Sequence, residues 1–156
     1  MMAGTRVHCV HAASYALEDS MATTFRSLSI WQLAMDLTQE VYRLSGPFHR
    51  DEQFGITAQI CRAAVSLPNN IADGHGSGSD AEFRHFLTIA RGSLREVDTQ
   101  VVIATRLGFH TEIATKKFEE LARRVVRMLT NLIHILDVNL SKPKREPRSA
   151  KLAALP

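Results

Sequence analysis

The hydrophobic period constrains this chain more than any other feature. From about residue 27 to residue 137, apolar side chains recur every three or four positions, and no stretch alternates with a period of two. That spacing lines one face of a helix and is not the pattern of a half-buried strand. Four segments carry it. The first, about 27–44, has one seam of Leu28, Trp31, Met35 and Tyr42 and a second of Ile30, Ala34, Leu37, Val41 and Leu44, before Gly46-Pro47. The second, about 51–73, has Phe54, Ala58, Cys61, Val65 and Ala72 on one line and Ile56, Ile60, Ala63 and Leu67 on another. Pro68 has no N–H for the Ala64 carbonyl, which predicts a kink there with the helix resuming through Ile71. The run Gly74-His75-Gly76-Ser77-Gly78 predicts a loop.

Ser79 followed by Glu82 is a capping box and marks the start of a third helix. Phe83, Leu87, Ala90, Leu94, Val97, Val101 and Ala104 then keep the spacing up to Gly108, a residue suited to the left-handed position past a helix end. The fourth segment, about 115–137, again has two seams. One is Phe118, Leu121, Val125, Met128, Leu132 and Ile135; the other is Ala122, Val126, Leu129, Ile133 and Leu136. Four long helices with short connections predict an all-α, antiparallel up-down-up-down bundle. A lone bundle needs one apolar stripe per helix. The doubled seams of the first and fourth helices therefore point to a homo-oligomer, with Ile30, Leu37, Val41, Leu129, Ile133 and Leu136 as interface residues. A head-to-tail contact that repeats must close into a ring or grow into a filament, and a ring suits a small soluble protein.

Composition excludes several classes. With 156 residues, 45% hydrophobic and 22% charged, the chain can bury a core without staples. No uncharged stretch approaches the roughly 20 apolar residues of a membrane span, so no membrane partner is expected. Cys9 and Cys61 form no CxxC pair, which fits a reducing, cytoplasmic compartment. The net charge of +3 is unevenly spread. Residues 21–140 are neutral, while 141–156 hold Lys142, Lys144, Arg145, Arg148 and Lys151 against Glu146. The domain reading is an extension over 1–23 without periodicity (disordered or mis-annotated, with Met21 the natural start), a bundle over 24–138, and a flexible basic tail over 139–156.

The motifs of catalysis fail on inspection. The glycine cluster lacks the last glycine of GxGxxG and the lysine of a P-loop, and no strand precedes it. His8-Cys9-Val10-His11 has no second half, while structural zinc wants four ligands. There is no HExxH, the single Glu-x-x-His pair (Glu82 and His85) falls short of the two that a di-iron bundle needs, and His85 and His134 fall on outward phases. Asp36, Glu40, Glu96 and Asp98 read as solvated or paired surface charges. No enzyme, metal or cofactor is expected. One polar line, Gln59, Arg62, Ser66, Asn69 and Asp73, shares a face of the second helix. Arg84, Arg91 and Arg95 follow the third helix, and Arg123, Arg124 and Arg127 lie outside the fourth. With Arg62 and the tail residues Lys142, Lys144 and Arg145, these rows are the candidate nucleic-acid contacts, although acidic groups balance them and no aromatic platform interleaves with them.

Several stretches together resemble a known family: Phe25-x-x-Leu28-x-x-Trp31-Gln32-x-Ala34, Phe54-Gly55-Ile56-Thr57-x-Gln59-Ile60, Arg62 to Gly74 with its SxPxNIAxG core, and Glu82-Phe83-x-x-Phe86-Leu87-x-Ile89-Ala90-x-Gly92-Ser93-Leu94-x-Glu96. They are similar to the bacterial four-helix-bundle proteins encoded by intervening sequences in 23S ribosomal RNA genes, often labelled S23 ribosomal proteins. Accessory proteins of diversity-generating retroelements share that fold. The resemblance covers about residues 24–136. It implies a barrel-like homopentamer without enzymatic activity, and nucleic-acid binding of the kind attributed to some members. Asp73 stands where Glu is usual. Cys61 and Ser77 stand where Arg is frequent, and each missing Arg removes a phosphate contact. The leading expectation is a non-enzymatic cytoplasmic oligomer that binds RNA or DNA weakly through phosphates. The alternative is a scaffold that docks a protein partner, such as a reverse transcriptase, with no direct role for nucleic acid.

Overall fold

The structure, a computed structural model, describes residues 24–48, 52 and 55–142. A 3-10 turn, Phe25–Ser27, leads into four helices: α1 Ser29–Ser45, α2 Ile56–Gly76, α3 Asp80–Arg106 and α4 Glu112–Ser141. There is no strand among the described residues. Consecutive helices pack on one another, and α4 closes the cycle onto α1. Every pairing is antiparallel. Ser45 of α1 meets Cys61 of α2 while Thr38 meets Ala64. Ser66 of α2 meets Ser93 of α3, Arg84 of α3 meets Asp137 of α4, and Lys117 of α4 meets Glu40 of α1. The expected extension, the His8–His11 segment, Phe54 and the tail beyond Lys142 lie outside the described residues.

One stripe per helix fills the core. From α1 it is Ile30, Leu33, Ala34, Leu37, Val41 and Leu44; the other expected seam is half-buried at Leu28, Trp31 and Met35 and exposed at Tyr42. From α4 it is Phe118, Leu121, Ala122, Val125, Leu129, Ile133 and Leu136. That stripe crosses between the two seams read from the sequence, because 3.6 residues per turn drifts against a fixed three-four count. The six residues assigned to a subunit interface therefore need correction. Ile30, Leu37, Val41, Leu129, Ile133 and Leu136 are buried in the chain's own core and are not available to a neighbour.

Helix ends follow local chemistry more closely than periodicity. Ser79 Oγ accepts the Glu82 N–H, as the capping box requires. Past α3, Gly108 has φ +78° and donates to the Thr105 carbonyl, while Phe109 donates to Ala104, a Schellman pair. Helix α4 begins three residues earlier than expected because the Thr111 side chain accepts the Ala114 N–H. It runs on to Ser141, so residues 139–141 belong to the helix and not to a tail. The stop is Pro143, which pushes Lys142 to an extended ψ of 131°.

Helix α2 passes through Pro68, resuming through Ile71 as expected, but the loop expected at Gly74 does not begin there, since the helix runs on to Gly76. The carbonyl of Ala64, left without an N–H by Pro68, lies 2.9 Å from Thr38 Oγ1 of α1. The same hydroxyl lies 2.9 Å from Ala34 O and serves as a shared donor to the two carbonyls. A neighbouring helix thus supplies the hydrogen bond that the proline removes. Gly74 is needed for contact and not for turning. A Cβ there would come within 2.8 Å of Phe86 Cβ and of the Phe83 ring. The turn itself is Ser77–Ser79, with Gly78 at φ +80°.

Candidate nucleic-acid interface

The basic rows of the sequence do not form one patch. Arg62 is exposed on α2 and lines a cleft of about 480 Å³ between α1 and α2, with Tyr42, Cys61, Val65, Ser66 and Asn69. The other arginines belong to α3 and α4, which form the opposite side of the bundle. Arg84 is ion-paired with Asp137 and is not free for phosphate. Arg91 is half-buried; Arg95, Arg123, Arg124 and Arg127 are exposed, and none of these five has an ion pair among the described residues. Lys142 is exposed at the end of α4 and reaches Asn139, while Lys144 and Arg145 lie outside the described residues.

Between α3 and α4 runs a second cleft of about 480 Å³, lined by Leu94, Arg95, Asp98, Glu119, Ala122, Arg123 and Val126. It continues towards the Gly108 turn as a groove lined by Val102, Thr105, Arg106, Glu112, Thr115, Lys116 and Glu119. Arginines and carboxylates therefore share one surface, as the balanced charge implied. Arg123 is held against α4 by donating to the Glu119 carbonyl. Of the polar line on α2, Gln59, Arg62, Asn69 and Asp73 face solvent. Ser66 is half-buried and bonded to Ser93 Oγ at 2.9 Å.

The SxPxNIAxG stretch is accounted for by packing. Asn70 Nδ2 donates to the Ser66 carbonyl and hydroxyl, at 2.7 and 3.0 Å, which fixes the hydroxyl that meets Ser93. Pro68 and Ile71 are buried, and Gly74 admits Phe83 and Phe86. These residues bring α2 and α3 into the most extensive helix contact of the bundle.

Two polar features were not read from the sequence. Glu40, placed among surface charges, is only 2% exposed. Its Oε1 accepts from Arg43 Nε at 2.9 Å and its Oε2 meets Lys117 Nζ at 3.1 Å, while Arg43 also donates to the Ala114 carbonyl. The Arg43 guanidinium holds the Glu40 carboxyl below its ordinary range; burial opposes this and Lys117 adds to it. The signal was present in the phase, since Leu33, Leu37, Glu40 and Leu44 form an inward four-three-four line. The other is His110, after α3. Its Nδ1 lies 3.1 Å from Thr105 Oγ1, its ring is 5.7 Å from Phe48, and its Nε2 is buried without a partner. Burial pushes its pKa down. His85 and His134 are exposed. No three His, Cys, Asp or Glu side chains converge as a metal site among the described residues, and no described helix is long and apolar enough to cross a membrane.

Fold and surface together define an all-helical four-helix bundle whose prominent clefts are open grooves between adjacent helices. The sequence profile of the 23S rRNA-intervening sequence protein family matches residues 26–131. The chain belongs to that family. A solved structure of a protein with unknown function from the S23 ribosomal protein family of Bacteroides thetaiotaomicron has the same fold, with a TM-score of 0.62 at 18% identity. That likeness covers 67% of this chain and 97% of the other. A comparison with curated proteins finds no match.

Proposed function

We propose that the protein is a non-enzymatic, cytoplasmic homo-oligomer that binds RNA or DNA through the phosphate backbone. The observation that carries the reading is the set of arginines on one side of the bundle, Arg91, Arg95, Arg123, Arg124 and Arg127, none with an ion pair among the described residues. Lys142 and the basic run after it add cationic charge near the end of α4. Lys and Arg that displace condensed counterions give affinity without sequence preference, and affinity that falls with salt. The family's association with 23S rRNA intervening sequences accords with a nucleic-acid partner. A ring of five copies follows from the family resemblance. Its contacts must use residues outside the core stripe, such as the exposed Tyr42, Val65, Ile135 and Val138.

Binding of duplex DNA and of RNA, followed by fluorescence anisotropy, tests the reading. Four phosphate contacts would give a slope of log affinity against log salt of about −3 to −4 on duplex DNA. Removing residues 142–156 should weaken binding, and absence of binding at low salt with the tail intact would overturn the proposal. The exposed apolar residues favour a second reading, a scaffold for a protein partner such as a reverse transcriptase. Affinity purification at moderate salt separates the two: co-purifying nucleic acid supports the first, and a stoichiometric protein supports the second.

A further inference from the structure

The α3–α4 cleft has an internal symmetry that the charge rows alone do not reveal. On α3, Arg95 stands nearer the Arg84–Asp137 end and Asp98 nearer the Gly108 turn. On α4, which runs the other way, Arg123 is again nearer the Arg84–Asp137 end and Glu119 nearer the turn. The two arginines thus stand at one end of the cleft and the two carboxylates about one helical turn, roughly 5 Å, further along. None of the four is in an ion pair among the described residues. Two exposed valines flank them. Val126, 42% exposed, lies towards the arginine end, and Val102, 47% exposed, towards the carboxylate end.

A second copy of the same surface, turned about a two-fold axis that lies in the interface and crosses the middle of the cleft at right angles, meets it in register. Helix α3 then lies antiparallel on α3 and α4 on α4, so that Arg95 and Arg123 of each copy face Asp98 and Glu119 of the other, with Val126 and Val102 at the two ends of the charged set. We infer that the α3–α4 face is an isologous contact between two copies of this chain, with the occupant specified by its own charge order. This goes beyond the ring proposed above, because a ring contact joins two different faces and this one joins a face to itself. The contact is weak. A patch about 22 Å long from Arg91 to Arg106 and two helices wide buries on the order of 900 Å² in total, the low end for specific interfaces. Micromolar, salt-sensitive association follows. Arg95 and Arg123 are also among the proposed phosphate contacts, so polyanion and second copy compete for them.

Sedimentation velocity across protein concentration at 50 and 500 mM salt reads the contact, with circular dichroism confirming that each variant is folded. The wild-type chain should show a salt-sensitive, concentration-dependent doubling of its unit, whether that unit is one chain or a ring. R95E/R123E and D98R/E119R should each weaken the doubling more than about tenfold, and an equimolar mixture of the two should restore it. The fourfold exchange R95E/D98R/E119R/R123E keeps the net charge and reverses the order. It should double with itself and not with wild type. Absence of doubling in the wild type, doubling that ignores both double variants, or failure of the mixture to restore it would overturn the inference. None of these results bears on whether nucleic acid binds, which anisotropy reports separately.

Discussion

Replacing Thr38 by Val should expose how a proline is tolerated inside α2. Pro68 sits mid-helix, where proline costs about 3 kcal/mol relative to alanine, partly because the i−4 carbonyl loses its donor. Here that carbonyl, Ala64 O, lies 2.9 Å from the Thr38 hydroxyl. Thr38 is 8% exposed and Ala64 fully buried, so water does not substitute. Valine keeps the shape of threonine and removes the donor. A buried acceptor without a partner costs about 1–3 kcal/mol, and Thr38→Val should lower stability by that amount. Pro68→Ala returns an N–H to the position four residues after Ala64. In that background Thr38→Val should cost no more than about 0.5 kcal/mol, since Ala34 O retains its own helical donor. The small void left by the proline ring is common to both Pro68→Ala arms and cancels in the cycle. The coupling, about 1–2 kcal/mol, would be read from urea unfolding followed by far-ultraviolet circular dichroism at one fixed protein concentration. Equal costs of Thr38→Val in the two backgrounds would refute the reasoning.

Gly74→Ala should destabilise by about 1–3 kcal/mol, because the new methyl would meet Phe83 and Phe86 at 2.8 Å. Gly92→Ala, with open space at the same atom, should stabilise α3 by up to about 1 kcal/mol, and thermal melts distinguish the two. Glu40→Gln should cost about 1–3 kcal/mol in urea unfolding at pH 7, since two charge-assisted bonds to a buried carboxylate weaken. Because the folded-state pKa of Glu40 lies below its ordinary 4.5, that stabilisation is present above about pH 4.5 and is lost as pH falls through the folded value; the variant should be less acid-sensitive than wild type. His110 is lowered from 6.5 in the fold, so stability falls as pH drops below about 6.5, and His110→Phe should flatten melting temperature against pH between 7 and 5. An unchanged slope in that variant would contradict the burial of His110 Nε2.

The four helices were legible because their evidence is local. A three-four spacing, a capping box at Ser79 and a glycine at 108 act within a few residues of each other. No tertiary partner is needed to read them. Family membership was legible for a related reason. The stretch Ser66 to Gly74 is a packing motif, and the contacts that constrain it leave a recognisable residue pattern. The candidate surface was legible only in part. The arginine rows could be placed on helices, but whether an arginine is free depends on the helix beside it. Arg84 is neutralised by Asp137, 53 residues away along the chain.

What the amino-acid order determined by itself is therefore the number, kind and approximate extent of the helices, the location of the cationic excess and the class of fold. Tertiary structure decided which apolar seam became core, that Pro68 and Gly74 remain within one continuous helix, that Glu40 is buried, and that Arg62 is parted from the other arginines. Each of those outcomes depends on a group supplied by another helix: the Thr38 hydroxyl for Pro68, the Phe83 and Phe86 side chains for Gly74, Lys117 for Glu40. Periodicity records where a side chain points around its own axis. It carries no record of which neighbouring helix lies there, and that neighbour decides whether the position is core, ion pair or open surface.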